Sequence, residues 1–69
     1  MPSFKISLAA ARVNAKMTQE EVAKVLQISK KTLINWEKGV IIPNAASVHV
    51  LAEIYNISED YIFLPTKST

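Results

Sequence analysis

Residues 18–39 read TQEEVAKVLQISKKTLINWEKG, and the division of this stretch decides the fold. Thr18 and Glu21 have the spacing of a capping box: the threonine hydroxyl accepts the Glu21 amide proton while the glutamate reaches back to the Thr18 amide. A helix over about 19–26 is expected to follow. At about 100° per residue, Val22, Ala23 and Leu26 line one face with Gln19, while Glu20, Glu21 and Lys24 point away. Gln27, Ile28 and Ser29 then leave only a very short connection. Ser29 is a good N-cap, and Gly39 suits the position just past a helix end. Together they bracket a second helix over 30–38.

On that second helix, Lys30, Lys31, Ile34, Asn35 and Lys38 fall on one contiguous arc, and Thr32, Leu33, Trp36 and Glu37 on the other. Leu33 and Trp36 anchor the inner face. The outer face carries groups suited to a DNA major groove. Lysine donates to guanine O6 and N7, asparagine bonds adenine bidentately, and an aliphatic chain touches the thymine methyl. On a helix taken at random such a face is more often simply solvated; the tight two-helix geometry is what favours the groove.

Glu37 is out of place beside Leu33 and Trp36. An unpaired buried carboxylate costs several kcal/mol or takes up a proton. Upstream, a helix over about 6–15 places Leu8, Ala11, Arg12 and Ala15 on one face, and the run Ala9-Ala10-Ala11 favours helix intrinsically. A largely buried Arg12–Glu37 ion pair is therefore expected. The alternative is that each group finds water at the core edge.

Downstream, Pro43 and Asn44 open another helix, on which Val48, Leu51, Ala52 and Tyr55 keep core spacing. Asn56 suits its end. Ser58, Glu59 and Asp60 can cap a last short helix carrying Tyr61 and Ile62. The expected architecture is all-α: five short helices in one domain over 1–65, with a polar tail, 66–69, that frays.

Composition agrees. The chain has 69 residues, no cysteine, one glycine and three prolines, too little turn material for a many-stranded sheet. Apolar residues make up 49%, enough for a core and against disorder. The net charge of +2 is mildly basic, so its placement matters more than its size. No apolar run approaches the roughly 20 residues of a membrane span, and residues 1–5 lack the build of a signal peptide. A cytoplasmic protein with no membrane partner is expected.

The ordered series Met17-Thr18-Gln19-Glu20-Glu21-Val22-Ala23, Leu26, Ile28-Ser29, Thr32-Leu33, Trp36-Glu37-Lys38-Gly39, Pro43, Leu51-Ala52 and Ile57-Ser58 resembles the phage repressor and Cro-type helix-turn-helix family, which includes the xenobiotic-response-element regulators. The resemblance covers about residues 8–62 and implies a lambda-repressor-like DNA-binding domain with its helix-turn-helix at about 18–38. By that resemblance Ala23 is the small residue where the two helices cross, and Leu33 the aliphatic that packs on it. Gln19 bonds a DNA phosphate and braces the recognition helix, 29–37. Lys30, Lys31, Ile34 and Asn35 match positions that face base edges or nearby phosphates. Ser29, Lys38 and Thr18 are assigned to phosphate contact, and Arg12 with Glu37 matches the family's internal ion pair.

This chain also departs from the pattern. Gln27 and Lys16 stand where the family usually or often has glycine, so either strained or left-handed backbone at both, or slightly different turns, is expected. Val40, Ile41 and Ile42 are apolar where many relatives carry lysine or arginine, which leaves phosphate contact there to backbone N–H groups. Ile34 replaces a more usual small polar residue.

Val50 and Ile54 form a second apolar stripe. With Phe63, Leu64, Ile41 and Ile42 they are candidates for a symmetric dimer patch; alternatively Phe63 folds back over Val50 and Ile54 within one chain. The resemblance implies homodimers on two-fold operators with half-sites ~34 Å apart. No small-molecule effector is expected.

Nothing suggests an enzyme. A lone His49 cannot build a zinc site, so no metal or cofactor is expected. Adjacent Glu20 and Glu21 face different ways, Ser29 lacks a triad setting, and no glycine-rich phosphate loop occurs. The leading expectation is a sequence-specific transcription regulator of Cro-like or phage-repressor type binding double-stranded DNA. The alternative is a helical protein-interaction module, an antitoxin or anti-repressor, that keeps the fold.

Overall fold

The computed structural model describes residues 4–64. The tail at 66–69 and its boundary with the domain lie outside the described residues. In chain order the elements are β1 (Ile6–Ser7), α1 (Leu8–Asn14), α2 (Gln19–Leu26), α3 (Lys30–Lys38), α4 (Ala45–Tyr55), a 3-10 turn (Glu59–Tyr61) and β2 (Ile62–Phe63).

Every α-helix opens on a side-chain acceptor that takes up an otherwise orphaned amide. Ser7 Oγ accepts from the Ala10 N–H at 3.0 Å, and Thr18 Oγ1 from the Glu21 N–H at 3.0 Å. Ser29 Oγ accepts from the Thr32 N–H at 3.0 Å, and Asn44 Oδ1 from the Ser47 N–H at 2.8 Å. The Thr18–Glu21 capping box is complete, with the Thr18 N–H donating to Glu21 Oε1 at 2.8 Å.

The four helices also end alike. Lys16, Gln27, Gly39 and Asn56 all have positive φ, between 56° and 78°. The next residue then donates its N–H five residues back: Met17 to Arg12, Ile28 to Ala23, Val40 to Asn35 and Ile57 to Ala52, at 2.9–3.2 Å. This is the Schellman ending. Only one of the four turns uses glycine; the side chains of Lys16 and Gln27 cost about 1–2 kcal/mol each in that conformation. The residue after each turn is apolar, as the motif favours. Met17, Ile28 and Ile57 pack against the core, but Val40 is left 57% exposed.

The expected five-helix count is corrected here. Among the described residues there are four α-helices, and the segment expected as the fifth is a single 3-10 turn. Ser58 Oγ does cap it, accepting from the Asp60 N–H at 3.2 Å. The chain then extends, with Ile62 in the β region (φ −91°, ψ 126°). Ile62 and Phe63 instead pair in parallel with Ile6 and Ser7. The first helix is shortened correspondingly: Ile6, expected within it, lies in β1, and α1 begins after its Ser7 cap.

The core gathers Leu8, Ala11, Val22, Leu33, Trp36, Leu51, Ala52, Tyr55 and Ile62, with Leu33, Leu51 and Val22 fully enclosed. Every α-helix contributes, so α3 sits on a foundation built from the other three helices and β2.

Candidate nucleic-acid interface

The inner face of α3 is fastened at a single carboxylate. Arg12 Nε, from α1, donates to Glu37 Oε2 at 2.7 Å, and Arg12 Nη2 approaches Glu37 Oε1 at 3.4 Å. Gln19 Nε2, from the first position of α2, donates to Glu37 Oε1 at 3.0 Å. Arg12 Nη1 donates to the Met17 carbonyl at 3.0 Å. The Arg12 and Glu37 side chains are only 15% and 7% exposed, so the pair does not rest at a wet core edge. One knot thus joins α1, α2 and α3 with both carboxylate oxygens satisfied, the condition under which a buried ion pair is tolerable. The Glu37 hydrogen bond raises the Arg12 pKa further above its ordinary value, with desolvation opposing it. Tyr55 lies within the field of this pair. Burial, and then Glu37, push its hydroxyl up to about 12, and the hydroxyl has no hydrogen-bond partner among the described residues.

With that face pinned, the opposite one points outward. Lys30, Lys31 and Lys38 are exposed, while Ile34 and Asn35 are half-buried. The five share an arc, but they are not equally available. Lys30 Nζ donates to Glu20 Oε2 at 2.6 Å, and that contact holds Glu20 below the usual carboxylate range. Sequence reading missed this pair, although its signal was present: Glu20 faces away from the core on α2 and Lys30 away from it on α3.

The remaining candidates are placed as follows. Gln19 has its amide nitrogen engaged with Glu37. Thr18 is exposed, with its oxygen accepting within the capping box and its hydroxyl proton left to donate. Ser29 Oγ caps α3 and lies 2.9 Å from Thr32 Oγ1. The loop after α3 uses two of its amides internally. The Val40 and Ile41 N–H groups both donate to the Asn35 carbonyl, at 2.9 and 3.3 Å. They close the end of α3 and are not presented outward as a pair.

Ile41, Ile42, Val50 and Phe63 are all exposed, Phe63 by 52% and Val50 by 38%. Phe63 therefore does not become buried over the α4 stripe, because its backbone is held opposite Ser7 in β2. Ile54 is half-buried and packs against the core. His49 is more engaged than its solitary place in the sequence suggests. Its Nδ1 lies 2.6 Å from Glu59 Oε2 and its Nε2 3.3 Å from Glu53 Oε2. Glu59 and then Glu53 raise its pKa. The carboxylates sit at different ring nitrogens, and no group of three or more potential ligands suited to a metal occurs among the described residues. No helix of the described residues is long and apolar enough to cross a membrane.

Comparison with known proteins places this geometry. A family model described as a helix-turn-helix domain matches residues 6–66, from β1 to beyond β2. The chain is 36% identical over 55 residues to the HTH-type transcriptional regulator ImmR of Bacillus subtilis (strain 168), a match covering 80% of this chain and 43% of that protein. The chain thus spans less than half the length of this curated relative. No solved structure gives a significant match.

Proposed function

Since this chain belongs to the helix-turn-helix domain family, we propose that it binds double-stranded DNA sequence-specifically as the reading part of a transcription regulator of Cro-like or phage-repressor type. The observation that carries this reading is the knot at Glu37. Arg12 and Gln19 fix the inner face of α3, which leaves Lys31, Ile34 and Asn35 on a rigid outward face, as base-edge readout needs. In this reading the lambda-repressor-like domain occupies residues 1–65 and acts in the cytoplasm, as a binding protein and not an enzyme. It works as a homodimer on a two-fold operator with half-sites ~34 Å apart. Lys31, Ile34 and Asn35 discriminate bases. Lys30, Lys38, Thr18, Gln19 and Ser29 hold phosphates, and occupancy of a promoter blocks polymerase.

Selection of bound duplexes from a random DNA pool tests this. A two-fold consensus is expected, with binding that weakens on adding salt by a log–log slope of about −0.9 per phosphate contact. Asn35→Ala should weaken binding to the selected site by ~1–3 kcal/mol and relax one base position. Equal loss on every sequence would remove Asn35 from base readout.

A second reading, a protein-interaction module such as an antitoxin or anti-repressor, is favoured by one specific observation. Of the four apolar residues that follow the left-handed turns, Val40 alone stays off the core, and Ile41 beside it is 48% exposed. No gel retardation of random DNA by micromolar protein at low salt would favour this reading over the first.

A further inference from the structure

We propose that Glu20 is an internal competitor for DNA phosphate: it occupies Lys30 in the free protein, so that DNA must displace a carboxylate to use the first lysine of α3. This rests on the DNA-reading function proposed above.

Three observations converge on it. First, Lys30 Nζ and Glu20 Oε2 are 2.6 Å apart, and the two side chains are 48% and 67% exposed, so an incoming anion has direct access to the pair. Second, the first turn of α3 carries Lys30 and Lys31 and no acidic residue. That is the reverse of what a helix dipole favours, since the N-terminus attracts negative charge. Glu20 supplies to Lys30, from α2, a negative charge that the first turn of α3 itself lacks. Third, Glu20 is not needed to start its own helix. Glu21 completes the capping box with Thr18, and the Glu20 carboxylate, which also meets its own backbone amide, reaches across with Oε2 to Lys30.

The physical consequence is an exchange. An exposed ion pair is weak and screened by salt, whereas DNA is a dense array of anions whose condensed counterions are released when a lysine binds. DNA wins Lys30, but at a lower affinity than an unoccupied lysine would give. The lowering falls on all sequences alike, because phosphate contact carries no sequence information. Among the described residues Lys31 enters no ion pair, so the restraint acts on one lysine of the adjacent two.

The test is titration of a random-sequence duplex with the full chain and with Glu20→Gln, each alone and combined with Lys30→Gln, across a salt series. Asp60→Asn, on the 3-10 turn, makes the same change in net charge away from α2 and α3. Glu20→Gln should bind about two- to fivefold more tightly at low salt, with a gain that shrinks as added salt screens the pair, while melting temperatures stay level. The gain should vanish in the Lys30→Gln background and be absent in Asp60→Asn. An unchanged or weakened affinity for Glu20→Gln overturns the proposal. So does an equal gain without Lys30, which would mean direct repulsion of DNA by the carboxylate. If neither the parent chain nor Glu20→Gln retards DNA at micromolar protein, the DNA-reading function falls and takes this inference with it. Retardation by Glu20→Gln alone supports both.

Discussion

Two ion pairs of nearly equal length hold α3, one from beneath and one from the side. Arg12–Glu37 measures 2.7 Å and Glu20–Lys30 measures 2.6 Å. Distance does not separate them; surroundings do. The first is mostly enclosed, and its carboxylate takes a further hydrogen bond from Gln19. The second lies in solvent. Attraction between charges grows as the local dielectric falls, but so does the cost of stranding one of them. The inner pair is therefore hard to break and sets where α3 points. The outer pair exchanges easily and can take part in binding without disturbing the fold.

The largest expected effect comes from breaking the inner pair on one side. Glu37→Ala strands the Arg12 guanidinium with only the Met17 carbonyl and should cost ~3–5 kcal/mol in chemical denaturation. That is a large share of the ~5–15 kcal/mol typical of a whole domain. Replacing both partners, Arg12→Met with Glu37→Leu, should recover most of the loss. If single and double variants are equally unstable, the pair is not the unit that matters.

Tyr55 sharpens the same comparison at a smaller scale. Its buried hydroxyl is without a partner among the described residues, so Tyr55→Phe should be neutral or stabilise by up to ~1 kcal/mol. The hydroxyl is pushed up from 10.0 to about 12. Between those values the unfolded chain has lost a proton that the folded chain still holds. Stability therefore falls as pH rises from about 10 towards 12, and Tyr55→Phe should lose that part of the decline. Urea melts of both proteins across this range check it.

The smallest effect is expected at the outer pair. Glu20→Gln should leave the melting temperature unchanged within error near neutral pH. Glu20 has a lowered pKa, so whatever it contributes is present above the ordinary carboxylate range, from about 4.5 upward, and is lost as pH falls through the depressed value. A marked destabilisation of Glu20→Gln at pH 7 would make the outer pair structural and erase the contrast. His49 has the opposite sign. Its pKa is raised by Glu59 and Glu53, so its contribution is full below about 6.5 and fades as pH climbs through the raised value. Loss of that pH dependence in His49→Gln, followed by thermal melts from pH 5 to 9, is the expected outcome.

Much of this molecule was legible in its sequence because local rules governed it. Thr18 with Glu21, Ser29, Gly39, Asn44 and Asn56 mark helix ends by their own side-chain or backbone chemistry. Val22, Leu33, Trp36, Leu51 and Tyr55 lie in the core by periodicity alone. Glu37 stood out because a carboxylate on an apolar face demands a partner. The misses were of another kind. Ile6 and Ile62 sit 56 residues apart and pair as strands, and two-residue strands carry no periodic signal. Val40 and Ile41 had their amides drawn into the end of α3, which depends on how the Gly39 turn closes. Glu59 reaches His49 only because the 3-10 turn folds back on α4.

The sequence by itself determined the starts and stops of α2, α3 and α4, the buried faces and the outward arc of α3, since each follows from hydrogen-bonding chemistry or side-chain spacing over a few residues. Tertiary structure alone decided which groups on that arc are already engaged. Lys30 meets Glu20 because the N-terminal turns of α2 and α3 are brought side by side, and Glu37 receives Gln19 as well as Arg12 because three helices converge there. Charge and polarity are written in the chain, but which charge neutralises which depends on distances that exist only once the helices pack.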